Sequence, residues 1–333
     1  MFTVISLFSG CGGSSFGYEQ AGFKELLAVD FDSHACEVFK LNFPDVPVWQ
    51  KDIAQISGEK ILEFCKMQKG ELDVLDGSPP CQDFSIAHQL KVDGEKNILP
   101  YEFIRLVREL APKVFLMENV PGMVMGRMRP KFKAIMSAMK KLPYKVKCRM
   151  MNTANYGVAQ NRKRLIFLGV RNDLGLEPSF PLPKKPDMTV GKALKEVVSL
   201  TFVPGKDYGE FYSFIKPGEC AVKCVPRKKL LEYAPRLIKN GKLKKVGFAR
   251  RLRWDKPSPT VIATCINGSC NQIHPEEDRL LSIEELKAIC SFPDDFKLIG
   301  NFRQQWKVLG NAVMPKFMEA MANHIRLNFL TQN

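Results

Sequence analysis

Apolar and polar residues fall into alternating blocks along the chain. Phe2–Phe8 is a continuous apolar run rich in β-branched residues, and Leu26–Val29, Val46–Trp49, the run from Leu72 to Gly77, Lys113–Met117, Val146–Met151 and Arg164–Val170 repeat that texture. Short apolar runs bounded by Gly, Pro or Asp are expected to be strands of a buried sheet. Between them Ser14–Ala21, His34–Asn42, Ile56–Met67 and Leu99–Leu110 carry helical patterns, with Ser14 as the expected cap of the first. Strands alternating with helices predict an α/β domain with a largely parallel sheet. The texture changes at Arg171–Pro186, which holds four prolines and no period and is expected to mark a lobe boundary. Beyond it, Thr201–Arg253 reads as irregular. Helices are expected at Thr189–Val198, at Leu281–Cys290 with Ser282 and Glu285 as a capping box, and at Pro315–Phe329 with Pro315 in the first turn.

In an open α/β sheet, ligands gather at the carboxyl ends of the strands. Five such ends carry chemistry here. The first opens into Ser9-Gly10-Cys11-Gly12-Gly13, a turn whose glycines let a ligand approach the backbone. The second ends at Asp30, about twenty residues on, an acid suited to a ribose. Together they predict a nucleoside-containing cofactor, either a dinucleotide or S-adenosylmethionine. Asp52, after the third strand, suits a purine amino group or a helix cap. The run from Leu72 stops at Gly77-Ser78-Pro79-Pro80 and presents Cys81, a candidate nucleophile on a proline-stiffened loop. Glu118 ends the next strand and is expected to face the same cleft. Gln82–Lys96 is polar and reads as a loop over that cleft. In Gln160-Asn161-Arg162-Lys163-Arg164 the alternate residues Gln160, Arg162 and Arg164 share a face.

Charge narrows the partner. The 333 residues carry a formal charge of +15, which favours a polyanion. Arg127–Arg149 has nine Lys/Arg and no acid, and is either a solvated face or a phosphate track. Lys223–Arg253 has twelve Lys/Arg against Glu232 alone, with aromatics interleaved nearby, a composition suited to nucleic acid. No apolar run is long enough to span a membrane. The ten scattered cysteines suit a reducing compartment. The spacings Cys220-x₃-Cys224 and Cys265-x₄-Cys270 do not match the usual zinc patterns, so no metal is expected.

Six motifs in order, FSGCGG at Phe8, GSPPCQDFS at Gly77, ENV at Glu118, QNRKR at Gln160, RLLSIEE at Arg279 with FPDDF at Phe292, and GNAV at Gly310, resemble those of the DNA (cytosine-5) methyltransferases of bacterial and phage type. The resemblance covers the chain except Asn172–Gly247. It departs at Asp30, where the family usually has Glu, at Lys96-Asn97, where Arg-Gly is usual, and at Lys287–Ser291, which lacks an Arg.

The resemblance implies a Rossmann-like class I methyltransferase fold: a mostly parallel seven-stranded sheet with helices on both faces, and a smaller irregular lobe. Residues 1–178, completed by 300–333, would form the catalytic and cofactor domain, and 179–299 the target-recognition domain. It implies methyl transfer from S-adenosylmethionine, leaving S-adenosylhomocysteine, to carbon 5 of a cytosine flipped out of duplex DNA. Cys81 would be the nucleophile, Glu118 the contact to ring nitrogen N3 and the exocyclic amine, and Arg162 with Arg164 the groups that help hold the base. Phe8, Gly10, Gly12, Asp30, Asp52, Ile53, Pro80, Leu99 and Asn311 would line the cofactor pocket. DNA would be met by Gln82, Ser85, Gln160, Lys228, Lys229, Lys244, Lys245 and Arg251. The protein is expected to act as a cytoplasmic, nucleoid-associated monomer, or in the nucleus of a eukaryote, with a companion restriction endonuclease where it belongs to a restriction-modification pair. The alternatives are a transfer-RNA cytosine-5 methyltransferase and a catalytically inactive DNA-binding homologue.

Overall fold

The computed structural model describes residues 1–80, 98–198, 209–233, 238–239, 242–243, 249–263 and 272–331. The chain divides into two compact units, the first made of Met1–Thr153, Lys163–Pro183 and Val313–Asn333, the second of Ala154–Arg162 and Lys184–Ala312.

The first unit is built on β1 (Thr3–Leu7), β2 (Lys24–Asp30), β3 (Val48–Gln50), β4 (Val74–Gly77), β5 (Val114–Asn119) and β6 (Tyr144–Asn152). After β7 (Gln160–Asn161), which belongs to the second unit, β8 (Lys163–Arg171) completes the sheet. The strand order is β3-β2-β1-β4-β5-β8-β6. Pairs from β3 to β5 are parallel, and β8 runs antiparallel to both β5 and β6. The central strands β4 and β5 are buried at every position, as continuous apolar runs covered on both faces must be. Helices α1 (Gly13–Gln20), α2 (Ser33–Asn42), α3 (Gly58–Cys65), α4 (Leu99–Leu110) and α5 (Arg129–Lys140) link the strands. In α4, Phe103, Ile104, Leu106, Val107 and Leu110 are buried at helical spacing and join a core with Ile5, Leu7, Leu75, Phe115 and Met117.

The expected cap of α1 is corrected. Gly12, in the left-handed region, precedes the helix, and Ser14 lies buried inside its first turn. The helix expected at Ile56–Met67 begins later because the Ser57 hydroxyl accepts from Lys60 N and sets its start.

The second unit carries short helices: α6 (Val190–Leu194), α7 (Gly209–Ser213), α8 (Ala221–Cys224), α9 (Arg227–Tyr233), α10 (Ile283–Ile289) and α11 (Phe302–Asn311). Ser282 and Glu285 form the expected capping box on α10. Helix α11 was not expected. Its Trp306 is fully buried and donates its indole N–H to Ile262 O at 2.9 Å. That bond keeps the segment after 299 with the second unit, and the chain returns to the first only at Val313. At the other boundary Lys184 N donates to Asn155 O at 3.0 Å, so the division falls after Pro183 and not after 178. The last helix, α12 (Pro315–Ile325), packs on α1 in the first unit and continues as a turn of π-helix over Arg326–Leu330.

Candidate active site

The turn after β1 is shaped by Asp30. Gly10 N donates to one Asp30 carboxylate oxygen at 2.7 Å, and Asp32 N donates to the other at 2.8 Å. Burial pushes the Asp30 carboxyl up, and these backbone donors pull it back. The Phe31 backbone N–H bonds the same carboxylate, which leaves one lone pair for a hydroxyl ligand. Gly10 has φ +56°, and a Cβ there would meet nothing within 4 Å, so it is the left-handed turn that demands glycine. Phe8 adopts φ 56° without being glycine, a sparsely populated conformation of the kind that clusters at functional sites.

Two neighbours extend this site. Asp52 accepts from Ala54 N at 3.0 Å and caps the short 3₁₀ turn Ile53–Gln55, so of its two readings the capping role is the one in place. Arg105 braces that turn by donating to Ile53 O at 3.0 Å and Ile56 O at 2.9 Å. Phe31, between Asp30 and Asp32, leaves 75% of its surface exposed. Sequence reasoning passed over it. The available signal was a large aromatic directly after a strand-terminal acid, where a core position cannot be.

The ends of β4 and β5 form a second cluster. Gly77 ends β4, and a Cβ there would fall 2.6 Å from the Phe103 ring, so only glycine lets α4 lie against this strand. The chain continues through Ser78 and the buried Pro79 to the exposed Pro80. On β5, Asn119 donates through Nδ2 to Pro79 O at 3.4 Å, while its Oδ1 accepts from Val120 N at 2.8 Å. Asn119 therefore ties the two strand ends together, a role the sequence left unassigned. Beside it Glu118 is 9% exposed and forms an ion pair with the Arg164 guanidinium of β8. Leu99, at the start of α4, is half-buried against the core. Cys81, Gln82 and Ser85, with the rest of the loop Gln82–Lys96, lie outside the described residues.

The other residues of QNRKR do different work. Gln160 and Arg162 are buried in the second unit. Gln160 Oε1 accepts from Val261 N at 3.1 Å, its Nε2 donates to Cys290 Sγ at 3.3 Å, and Arg162 donates to Val261 O at 2.8 Å. Both polar groups of Val261 are thus held by side chains from β7 and the residue after it, and β7 pairs in parallel with Ser258–Pro259. The expectation that Gln160 meets DNA is corrected: its amide is committed to the interior. Arg251 is corrected likewise. It is buried and donates to Ile215 O, His274 O, Glu277 O and Tyr212 O at 2.6–3.1 Å, besides pairing with Asp278. An arginine so engaged organises the unit's interior and has no donors to offer a phosphate.

Of the expected basic contacts, Lys228 is exposed, while Lys229 is half-buried and paired with Glu210. Lys244 and Lys245 lie outside the described residues. Lys145 and Lys147, in the other basic run, share Glu177 at 2.8 and 3.2 Å. Asn311 is exposed at the end of α11, in the second unit, and not in the leading turn of the last helix. Among the described residues no group of His, Cys, Asp and Glu is arranged to hold a metal ion, and no helix is long and apolar enough to cross a membrane.

Residues 2–326 match the C-5 cytosine-specific DNA methylases. The chain belongs to that family. It is 35% identical to the Type II methyltransferase M1.HphI of Haemophilus parahaemolyticus, over 97% of this chain and 86% of that protein. It is 34% identical to M.Eco47II of Escherichia coli, over 94% and 76%. The crystal structure of a prophage-encoded putative DNA modification methyltransferase from E. coli superposes over the full length of both chains, with a TM-score of 0.75 and 26% identity. The protein is thus a DNA cytosine-5 methyltransferase of Rossmann-like fold, and the two strand-end clusters are its candidate active site.

Proposed function

We propose that this methyltransferase works through a covalent Cys81 adduct, with Glu118 and Arg164 facing the base. The observation that carries the reading is the Glu118–Arg164 ion pair beside the strand end that Asn119 ties to the proline loop. Cytosine carbon 5 is a poor nucleophile. Addition of the Cys81 thiolate to carbon 6 makes it enamine-like, splitting one hard step into easier ones. Glu118, taking up a proton from solvent as the base binds, donates to N3 and offsets the charge that gathers on the ring, and Arg164 orients its carboxyl. S-adenosylmethionine, when bound, supplies an electrophilic methyl group and departs as S-adenosylhomocysteine. Loss of the carbon-5 proton then expels Cys81.

The turn at Phe8–Gly12 and the lone pair left on Asp30 fit the cofactor's ribose, and the exposed Phe31 ring fits its adenine. Asp52, Ile53, Pro80 and Leu99 remain assigned to the same ligand. The partner is duplex DNA from which the target base is flipped, and the second unit is the target-recognition lobe. Gln160 and Arg162 act there by fixing Val261, and Lys228 and Lys229 with Lys244 and Lys245 track phosphates. The kinship with Type II enzymes supports a companion restriction endonuclease and a cytoplasmic, nucleoid-associated location.

Duplex DNA carrying 5-fluorocytosine tests the mechanism. Fluorine cannot leave as a cation, so the enzyme should stop as a denaturation-resistant protein–DNA adduct that requires S-adenosylmethionine. Peptide mapping should place the bond on Cys81. An adduct on another cysteine, or one formed without cofactor, rules the assignment out.

A further inference from the structure

The segment that carries Asp52 and Ile53 is anchored at two points. Strand β3, which leads into it, is three residues long, lies at the edge of the sheet and pairs with β2. Just after β3, Lys51 N donates to Asp30 O at 3.0 Å and ties the segment to the end of β2. The second anchor comes from α4. Arg105 Nη2 donates to Ile53 O at 3.0 Å and to Ile56 O at 2.9 Å. Two carboxylates of the same helix aim that guanidinium: Nε donates to Glu102 Oε2 at 2.8 Å, and Nη1 donates to Glu109 Oε2 at 2.9 Å. The same Glu109 oxygen accepts from Gly58 N, in the first turn of α3, at 2.6 Å. A Cβ on Gly58 would fall 2.4 Å from Glu109 Cβ, so glycine is what lets α3 begin this close to α4.

Burial alone does not call for this fork. Ile53 and Ile56 already seat their side chains in the core, at 4% and 2% exposure. The Arg105 side chain is 27% exposed, so water can reach its surroundings. Water can satisfy a carbonyl, but it cannot fix the distance between the turn and α4. A planar guanidinium gripped by two carboxylates can.

We propose that Arg105 is a positioning residue for the cofactor, presetting the turn of Asp52 and Ile53 in its binding arrangement at the nucleoside end of the ligand. It rests on the reading of Asp52 and Ile53 as cofactor residues. Arg105 acts on affinity and not on the chemical step. A turn released from α4 samples other arrangements, and apparent affinity falls with the fraction that stays competent. Ligand binding must then order the turn, at a cost to affinity. Once the ligand is bound the turn is ordered in either case, and methyl transfer proceeds at its usual rate.

The test is titration calorimetry of S-adenosylhomocysteine with the full chain, with adenosine measured by displacement. Arg105→Ala should weaken both ligands by the same factor, about tenfold, because the turn meets only the nucleoside they share. The single-turnover rate at saturating S-adenosylmethionine should stay within about twofold of the wild type, so KM rises while the saturated rate holds. Arg105→Lys keeps the charge without the fork and should fall between the two. Arg108→Ala removes an exposed arginine of the same helix and should bind as the wild type does. Wild-type affinity in Arg105→Ala overturns the proposal, as does a loss that adenosine does not share or an equal loss in Arg108→Ala. Where Arg105→Ala does not fold, wild-type affinity in Arg105→Lys overturns it. Asp52→Ala in the same titration separates the two readings. Wild-type affinity there removes the turn from the cofactor site and the proposal with it, whereas weakened binding there beside wild-type affinity in Arg105→Ala removes Arg105 only.

Discussion

Glu118 and Arg164 sit on neighbouring antiparallel strands, and each is nearly buried, so neither charge is screened by water as a surface pair would be. Removing one partner strands the other. Arg164→Ala should lower turnover by about 10²-fold, and Glu118→Gln by a similar factor, as losses of proton-donating and positioning groups do. Acting as a unit, the two should not add: the double variant is expected within about tenfold of the worse single one. A product of the two losses in single-turnover rates would show independent roles. Which arginine meets Glu118 was not legible in QNRKR, because alternation places Arg162 and Arg164 on one face without saying which unit each belongs to. Phe31 also escaped notice, since its hydrophobicity reads as core and only its place directly after the strand-terminal Asp30 signals its exposure.

At the scale of elements, the boundaries that came through were those with chemical punctuation. Helix α4 spans Leu99–Leu110 as its apolar spacing predicts, and α10 starts at the capping box of Ser282 and Glu285. Arg279 reinforces that box by donating to both Glu285 oxygens at 2.8 and 2.9 Å. Ser282→Ala should cost about 1 kcal/mol in urea unfolding, the usual worth of such a cap. Helix α11 had weaker signs, since FRQQWKVLGN is mostly polar and its start is fixed by Asn301 and Gln304, a capping box written in amides. Gly77 was legible as a strand stop but not as a packing requirement. The space it leaves is taken by Phe103, 26 residues on in the sequence. Gly77→Ala should therefore destabilise by about 1–3 kcal/mol through overpacking. It should also depress methyl transfer, because the displaced strand end leads to the proline loop. Unfolding at the wild-type urea midpoint would show that Phe103 yields without cost.

Across the whole molecule the net charge of +15 hides two kinds of cation. Arg251 is buried and engaged with four carbonyls and Asp278, whereas Lys228 is exposed. A count of basic residues cannot tell them apart, which is why both were expected on DNA. Lys228→Ala should leave unfolding unchanged and lower the slope of log K against log salt by about 1. Arg251→Ala should cost about 3–5 kcal/mol in stability, the penalty for leaving the four carbonyls around a buried arginine unpaired. A variant of Arg251 that folds normally and loses only DNA affinity would return that residue to the interface.

Two acids of the sheet, Glu25 of β2 and Asp76 of β4, bear on the stability of the first unit, with a definite sign. Burial, the leading cause for each, pushes Glu25 up to about 7 and Asp76 up to about 8 from ordinary values near 4. In the unfolded chain both lose their protons near pH 4. In the folded protein they keep them into the neutral range. Between those limits the unfolded state holds fewer protons, so raising the pH favours unfolding. The contribution is fully present below about pH 4, declines through neutrality and is exhausted above about pH 8. Thermal unfolding should thus fall by ~3–6 °C between pH 6 and pH 8 and flatten beyond. Asp76→Asn should remove the larger part of that slope, because Asp76 is the group pushed highest, and Glu25→Gln the smaller part. Identical pH slopes in the wild type and both variants would mean that these carboxyls ionise freely in the folded protein, and that the interior facing α1 is wetter than its packing indicates.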